Sequence, residues 1–503
     1  MNNYIVRQKD IELLMQSDKS LYYKLELLNE DMKVLDCIEG NLISDNVNIS
    51  ADSDIRRTYS CELLITDSTF DISSSSKIWF DKRIRPYIGI LHQRSGEVIY
   101  YLLGTFLFTE ANFNYDEITH TLSLTCNDMM CLLNGTRGGN LSIYKRTILE
   151  GTDARTVIIE LLKEVGITKY FIEFNQNNQI LSTFEVPYDM VYNAGMTVYQ
   201  IIKDLVDLYP GTQMYFDLYG TFVISKVPTG KNELNVLNDE IIQPILINEQ
   251  ISDSFTDVYN HIEIWGKINE PKYYSKSVSY SNNTYYCDVI AYQFDEETGE
   301  YQEIDYGDSI DNFDTFALRI PCANSNPLYI NINNIGDILV VDDKNNSLPE
   351  NYLTANTDCI FRYRKENNTF LYVGQYQCNA ECYLTNNVNN TSENAVINPD
   401  SEYSIEKIGN KLKVLSGGDY DKIPTNGLCM DRCHWELYNA TNKQETVTIN
   451  IIAIPWLDVN MKVEFTPNSN NKKGEYLIDN ISCNYTDFQM SITMSKYYAE
   501  YIG

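Results

Sequence analysis

The sequence predicts a mainly β protein with α+β parts: two small β-barrels, an α/β module and an inserted β-rich domain. Three observations predict it. Apolar and polar residues alternate with period two in many short runs, the pattern of strands with one buried face. Apolar stripes at helical spacing are few, short and bounded by caps. The chain also has 39 tyrosines and only 24 glycines, which suits packed, half-exposed β surfaces.

The alternation is clearest from Ile84 to Gly139. Ile84–Leu91 is an apolar run with Pro86 near its start, where a strand tolerates proline. Arg94-Ser95-Gly96-Glu97 supplies a turn. Val98–Thr109 returns, with Thr105, Leu107 and Thr109 facing away from Phe106 and Phe108. Thr119–Cys126 sets Leu122, Leu124 and Cys126 against Thr121, Ser123 and Thr125. Asn127 or Asp128 can cap a helical turn over Met129, Met130, Leu132 and Leu133, and Gly135 can end it. A sheet with one apolar face and a helix to plug it makes a small closed or half-closed barrel. Ahead of this stretch, Asp10–Met15 has a short helical pattern, and Leu21–Leu28 and Met32–Leu42 read as strands about a Glu30-Asp31 turn. Asn48–Ala51 and Tyr59–Ile65 add two more, with Tyr59, Cys61, Leu63 and Ile65 on one face, and Ser73–Ser76 is a serine loop. Residues 1–140 are expected to form the first barrel.

Composition then switches. Asp153 precedes an apolar stripe of Ala154, Val157, Ile158, Leu161, Leu162 and Val165, and Gly166 follows it, a helix with a cap at each end. Thr197-Val198-Tyr199-Gln200 has the spacing of a capping box, continued by Ile201, Ile202, Leu205 and Leu208 until Pro210-Gly211. Met214–Asp217 and Thr221–Ser225 form a hairpin about Tyr219-Gly220, completing an α/β module over 141–257.

Tyr259–Lys267 is a strand, followed by an Asn- and Tyr-rich region. Its expected strands are Ile320–Cys322, Leu328–Ile330, Ile338–Val341, Cys359–Tyr363 and Phe370–Cys378, and Asn386–Asp400 reads as a linker or exposed loop. Residues 269–424 are expected to be a β-rich domain inserted into the second barrel, which takes 258–268 and 425–503. In that barrel Leu428–Ala440 is helical, Thr446–Ile454 is a strand, Met461, Val463 and Phe465 alternate with Lys462 and Glu464, and Tyr476–Tyr485 and Met490–Met494 close the set.

Three runs resemble a known family. Leu103–Gly139 (LGTFLFTEANFNYDEITHTLSLTCNDMMCLLNGTRGG) resembles the N-terminal barrel of phage tail hub proteins, which close the distal end of a tail tube. Leu208–Val223 (LYPGTQMYFDLYGTFV) resembles the same family, and Ile454–Phe465 (IPWLDVNMKVEF), with the HWELYNA helix before it, is similar to the family's second barrel. The resemblance implies a homotrimer whose barrels give a pseudo-sixfold face. That face would dock on the tail tube or a distal tail protein. The far side would meet a tail-tip or spike protein and the tape measure. DNA would be a partner only in transit through the lumen, at ejection. It further implies a structural virion protein of the tail, assembled in the host cytoplasm, with no enzyme activity and no cofactor.

Bulk properties bound other functions. At 503 residues the chain exceeds one core, so three to four domains are expected. No apolar run approaches the roughly 18 residues that span a bilayer. The polar start Met1-Asn2-Asn3-Tyr4 lacks a signal peptide's apolar core, so a soluble, non-exported protein is expected. A net charge of −31, from 70 acidic and 39 basic residues, argues against neutralising a nucleic-acid backbone. It suits a lumen that DNA passes without sticking, over the about 8–10 Å that salt leaves unscreened, and it equally serves solubility. Twelve cysteines from Cys37 to Cys483 read as reduced core residues.

No chemical signature emerges. His92, His120, His261 and His434 are dispersed and form no metal motif. Cys378 and Cys382, with Cys429 and Cys433, have a spacing that four-thiolate zinc sites use, but Cys429 and Cys433 lie on a helix's apolar face, where packing explains them. Cys433 and His434 are neighbours in sequence, which does not make a nucleophile and base. Asp343-Lys344-Asn345-Asn346-Ser347 starts like a calcium loop but lacks its glycine and glutamate. Asp308, Asp311 and Asp314 read as a solvated acidic turn, and Gly135-Thr136-Arg137-Gly138-Gly139 as a boundary turn rather than a phosphate loop. Catalytic, cofactor and metal residues are therefore expected to be none. Two other functions have a sequence feature to weigh. The insertion's Tyr273, Tyr274, Tyr280, Tyr285, Tyr286 and Tyr292 suit stacking on a host-surface glycan or ordinary cross-strand packing. A tail-associated cell-wall hydrolase would need a further domain, and the chain ends at Gly503 soon after the second barrel.

Overall fold

A computed structural model describes residues 5–39, 42–65, 72–73, 77–115, 120–142, 145–176, 179–180, 185–228, 235–295, 300–305, 309–442 and 445–496. The Met1–Tyr4 start, Ser74–Ser76, Thr119, Asp308 and Gly503 lie outside them. Strands hold 46% of the described residues and helices 14%, so the mainly β class with α+β parts holds. The chain divides into two compact units, one of residues 1–207, 211–258 and 438–503, the other of 208–210 and 259–437.

In the first unit, fourteen strands form a single hydrogen-bonded sheet. Its N-terminal half runs Leu42–Ser50, Arg57–Leu64, His120–Asp128, Phe106–Tyr115, Arg83–His92, Leu21–Leu28, Val34–Glu39. Its C-terminal half runs Gly474–Asn484, Gln489–Lys496, Glu445–Ile452, Leu246–Asp253, with Lys462–Phe465 and Asn235–Leu237 off the other edge of Gly474–Asn484. The halves meet where Val47, Asn48, Ile49 and Ser50 pair antiparallel with Cys483, Ser482, Ile481 and Asn480. The two terminal strand sets are thus continuous, around one buried apolar cluster containing Leu63, Phe106 and Leu124 from one half and Ile449, Ile478 and Ile492 from the other. The physical reason is edge pairing: each half leaves backbone N–H and C=O groups unpaired along one strand, and joining satisfies both rows.

Alternation sets which side chains enter this core. Tyr59, Cys61, Leu63 and Ile65 are all buried, as are Leu122, Leu124 and Cys126. Phe106 and Phe108 join the central cluster, whereas Leu107 is buried on the opposite face. The sheet is therefore covered on both sides here. Strand Arg83–His92 pairs along one edge with Leu21–Leu28. Its other edge forks: Arg83 and Ile84 pair with Phe106–Tyr115, Tyr87 to His92 with Glu97–Leu102. Pro86, with no N–H to donate, stands at the fork. Asp128 caps a 3₁₀ turn over Met129–Leu132, its carboxylate accepting the Met130 N–H.

The α/β part follows its caps. The Asp153 carboxylate accepts the Thr156 N–H at 3.1 Å ahead of helix Ala154–Glu164. Before helix Val198–Asp207, Thr197 Oγ1 accepts the Gln200 N–H at 3.1 Å, but the Gln200 side chain donates onward to Asp204. Strands Thr212–Phe216 and Phe222–Lys226 form the expected hairpin.

The second unit contains a closed seven-stranded barrel. Its order is Tyr273–Ser281, Thr315–Arg319, Asp358–Arg364, Thr369–Gly374, Ile338–Val341, Tyr329–Ile332 and Thr284–Asp295, which pairs back to Tyr273–Ser281. Ring closure by backbone pairing is thus found in the insertion, which sequence read only as β-rich. Ile320–Cys322 is not a strand; the strand ends at Arg319, before Pro321. Tyr273–Ser281, Thr284–Asp295 and Glu300–Asp305 are strands that polar composition concealed. His261–Ile268, expected with the second barrel, pairs instead with Gln377–Thr385 and Leu412–Leu415. Leu246–Asp253 takes that place beside Glu445–Ile452. Helix Asn426–Asn442 carries Cys429, Cys433 and Leu437 at full burial. The Asn386–Asp400 segment contributes a short strand, Ala395–Ile397, paired to Gln377–Thr385.

Candidate functional site: a buried arginine where three segments meet

Arg57 opens strand Arg57–Leu64 on its buried face and is 1% exposed. Its backbone N–H donates to Asp128 Oδ2 at 3.0 Å. Its Nη1 donates to the Phe216 carbonyl at 3.4 Å, and its Nη2 pairs with the Asp458 carboxylate. Asp128 belongs to the first of the three runs that resemble tail hubs, Phe216 to the second and Asp458 to the third. Beside it, Arg56 donates to Gln213 Oε1 at 2.6 Å and lies 3.7 Å above the Tyr215 ring, and Asn460 Nδ2 donates to the same Gln213 oxygen at 3.0 Å.

Burial sets the electrostatics. It pushes the Asp128 carboxyl up to about 6, against the pull of two backbone N–H donors and both arginines. It pulls the Arg56 guanidinium down to about 10, against the field of Asp458. The ion pair and hydrogen bonds that converge here can fasten the three segments together. Sequence reasoning missed this node. The available signal was Arg56-Arg57 at the mouth of an apolar strand in an acidic chain, where surface charge would serve no packing purpose.

The residues that sequence singled out are placed elsewhere. His92 is buried between Ser95 Oγ at 2.8 Å and Glu12 at 3.2 Å. His120 is exposed at the edge of Phe113, and His261 meets Asn410 at 3.1 Å. His434 is exposed on its helix. Cys378, Cys382, Cys429 and Cys433 are all fully buried. Cys378 and Cys382 are four residues apart on one strand, which separates them by about 13 Å, too far for one tetrahedral ion with thiolates about 2.3 Å away. Among the described residues no group of three or more such side chains could hold a metal. Cys378 donates to the Pro424 carbonyl and Cys433 to the Ala380 carbonyl, and burial pushes the Cys378 thiol up to about 12.

Asp342 makes a tight turn, accepting the Lys344 and Asn346 N–H groups. Asp343 accepts the Thr425 hydroxyl at 3.0 Å. Asp314 accepts from Lys272 at 2.7 Å and from the Asp311 N–H at 2.9 Å. In the Gly135–Gly139 turn the Gly135 N–H donates to the Gly138 carbonyl at 2.8 Å. The tyrosines divide. Tyr285 is fully buried with its hydroxyl on the Cys322 carbonyl, Tyr273 stacks on Phe316 and Tyr280 packs on Tyr285, while Tyr274 and Tyr292 meet edge-on outside. No helix among the described residues is long and apolar enough to cross a membrane.

A family model described as "Domain of unknown function (DUF5048)" matches residues 400–501. No curated protein matches the chain. Among solved structures, it is similar to a 43 kDa tail protein of prophage MuSo2 from Shewanella oneidensis, at 11% identity over 94% of this chain and 98% of that one, with a TM-score of 0.48. A tail protein from Neisseria meningitidis MC58 shares 8% identity over 95% and 98%, with a TM-score of 0.48. Prophage tail protein gp18 from Listeria monocytogenes EGD-e shares 10% identity over 94% of each chain, with a TM-score of 0.42. Each of these three neighbours is a tail protein.

Proposed function

We propose that the chain is a structural phage tail protein, a hub that closes the distal end of the tail tube as a trimeric ring. The observation that carries this reading is the meeting at Arg57 of three segments that each resemble tail hubs: Asp128 accepts its backbone N–H, and Phe216 and Asp458 take its guanidinium. Segments far apart in sequence that share a resemblance and also share a buried contact behave as one inherited unit. In this reading the unit built from both chain ends forms the ring, with residues 259–437 inserted as an elaboration. The ring adapts the sixfold tube to a threefold tip and lets DNA pass at ejection. Its neighbours are a tube or distal tail protein on one side and a tip protein and tape measure on the other. The acidic excess, 70 against 39 residues, supports a lumen that repels phosphate at short range. The protein works without catalysis or cofactor.

Imaging of virions tests the reading, with the chain identified by an epitope tag. Threefold density for this chain at the distal tube end is expected. Absence from virions, or a place in the head, overturns it, and a channel lined with Lys and Arg overturns the lumen assignment.

A further inference from the structure

A cleft lies inside the first unit, beside the point where the pairing of strand Arg83–His92 forks at Pro86. Its open space, mouth included, is about 340 Å³. Leu25, Leu42, Leu63, Pro86 and Leu103 supply apolar walls, and Tyr23, Tyr59 and Tyr87 supply rings. Leu25, Leu63 and Leu103 are buried members of the core. Tyr23, Leu42 and Tyr87 are half-buried, so the cleft reaches solvent on their side.

Among the described residues, one carboxylate lines this cleft, that of Asp45. Asp45 is 5% exposed. Its Oδ1 is fully engaged, accepting the Tyr485 N–H at 3.0 Å, the Thr486 N–H at 3.2 Å and the Thr486 hydroxyl at 3.3 Å. Its Oδ2 accepts from no described residue. The Tyr23 hydroxyl, another lining group, donates instead to the Tyr485 carbonyl at 2.7 Å. Burial pushes the Asp45 carboxyl up to about 6, so it is ionised at pH 8. A buried carboxylate oxygen without a donor is costly, and a charged donor relieves it best. The local field has the matching sign. Asp487 adds a second negative charge near Asp45, and Lys24, which lines the cleft, already pairs with Glu26 at 2.6 Å. A metal ion would need several oxygen ligands, which one carboxylate among apolar walls does not supply.

We propose that this cleft binds a primary alkylammonium group, with the ammonium on Asp45 Oδ2 and the alkyl chain along Leu25, Leu42, Leu63 and Leu103. An apolar pocket with one placed polar group is the ordinary make-up of a small-molecule site. A free amine and the lysine side chain of another protein present the same group, and the test separates them. The site stands apart from the tail reading, since it uses neither a ring nor a tube.

The test is calorimetric titration of the full chain at pH 8, where a primary amine is protonated because its pKa is about 10.4. The probes are n-butylamine, n-butanol and Nα-acetyl-lysine amide. Wild type is expected to bind n-butylamine at least about tenfold more tightly than n-butanol. Asp45→Asn keeps the engaged Oδ1 and should erase that preference. Leu42→Trp, at a half-buried position, should fill the cleft and weaken binding of all three probes. Thermal melts show that both variants fold. Acetyl-lysine amide binding as well as n-butylamine supports a partner's lysine as the occupant, and its failure while n-butylamine binds supports a free amine. No binding of either amine to wild type overturns the proposal. So does n-butylamine bound no better than n-butanol, or a folded Asp45→Asn chain that keeps the full preference.

Discussion

Arg57 and Asp458 form an ion pair inside the first unit, with the arginine 1% and the aspartate 6% exposed. Removing one partner strands the other charge in a dry site. Asp458→Ala is expected to lower unfolding free energy by about 3–5 kcal/mol. The double change Arg57→Met with Asp458→Leu should recover much of that loss, because two apolar groups need no compensation. Urea denaturation monitored by fluorescence checks both.

Gly139 and Gly166 separate backbone strain from crowding. Both have positive φ, +85° and +81°. A Cβ on Gly139 would lie 2.5 Å from the Leu133 carbonyl oxygen, whereas one on Gly166 would meet nothing within 4 Å. Gly166→Ala is expected to cost about 1–2 kcal/mol, the left-handed penalty alone. Gly139→Ala should cost clearly more, because a backbone carbonyl cannot step aside. Equal midpoints for the two variants would refute the difference.

Asp45 gives a pH signature. Burial is the largest influence on its carboxyl and pushes it up to about 6, partly opposed by the Tyr485 and Thr486 donors. The folded state therefore holds its proton at pH values where the unfolded state has released it. Its contribution to stability is complete below pH 3.8 and is lost as pH rises through about 6. Asp45→Asn keeps the Oδ1 that accepts from Tyr485 N, Thr486 N and Thr486 Oγ1. The melting temperature of that variant relative to wild type should rise between pH 4 and 6 and then level off. A flat difference would contradict this.

The cysteines predict a thiol count. Of the twelve, Cys37 is exposed and Cys322 half-buried, and the others are buried. A thiol reagent should titrate about one group quickly in the native protein and all twelve in denaturant. Chelators should leave the melting temperature unchanged, since a strand sets Cys378 and Cys382 too far apart for one ion.

What the sequence made legible was local. Period two placed Tyr59, Cys61, Leu63 and Ile65 in the core, and a cap was readable at Asp153 and at Asn127 or Asp128 because capping acts over two or three residues. Edges were not legible. Nothing in Val47–Ser50 names Asn480–Cys483 as its partner, since backbone pairing has no side-chain code beyond alternation. The same ambiguity hid the strand partners of His261–Ile268. In the insertion, Tyr273, Tyr280 and Tyr285 turn inward while Tyr274 and Tyr292 turn outward, a division that a tally of tyrosines conceals. Of the candidate site, Asp128 was one of two cap candidates beside Asn127, and its second role, accepting from Arg57, depends on a residue 71 positions away.

The joint between Ser50 and Asn480 also sets a schedule for biogenesis. At ribosomal speeds of about 5–20 residues per second, the early half waits roughly 20–90 seconds with a bare rim before its complement emerges. During that interval nascent chains on one polysome expose identical sticky borders to each other. Slowing translation between these codons should therefore raise the insoluble fraction, and chaperone supply should matter most in that window.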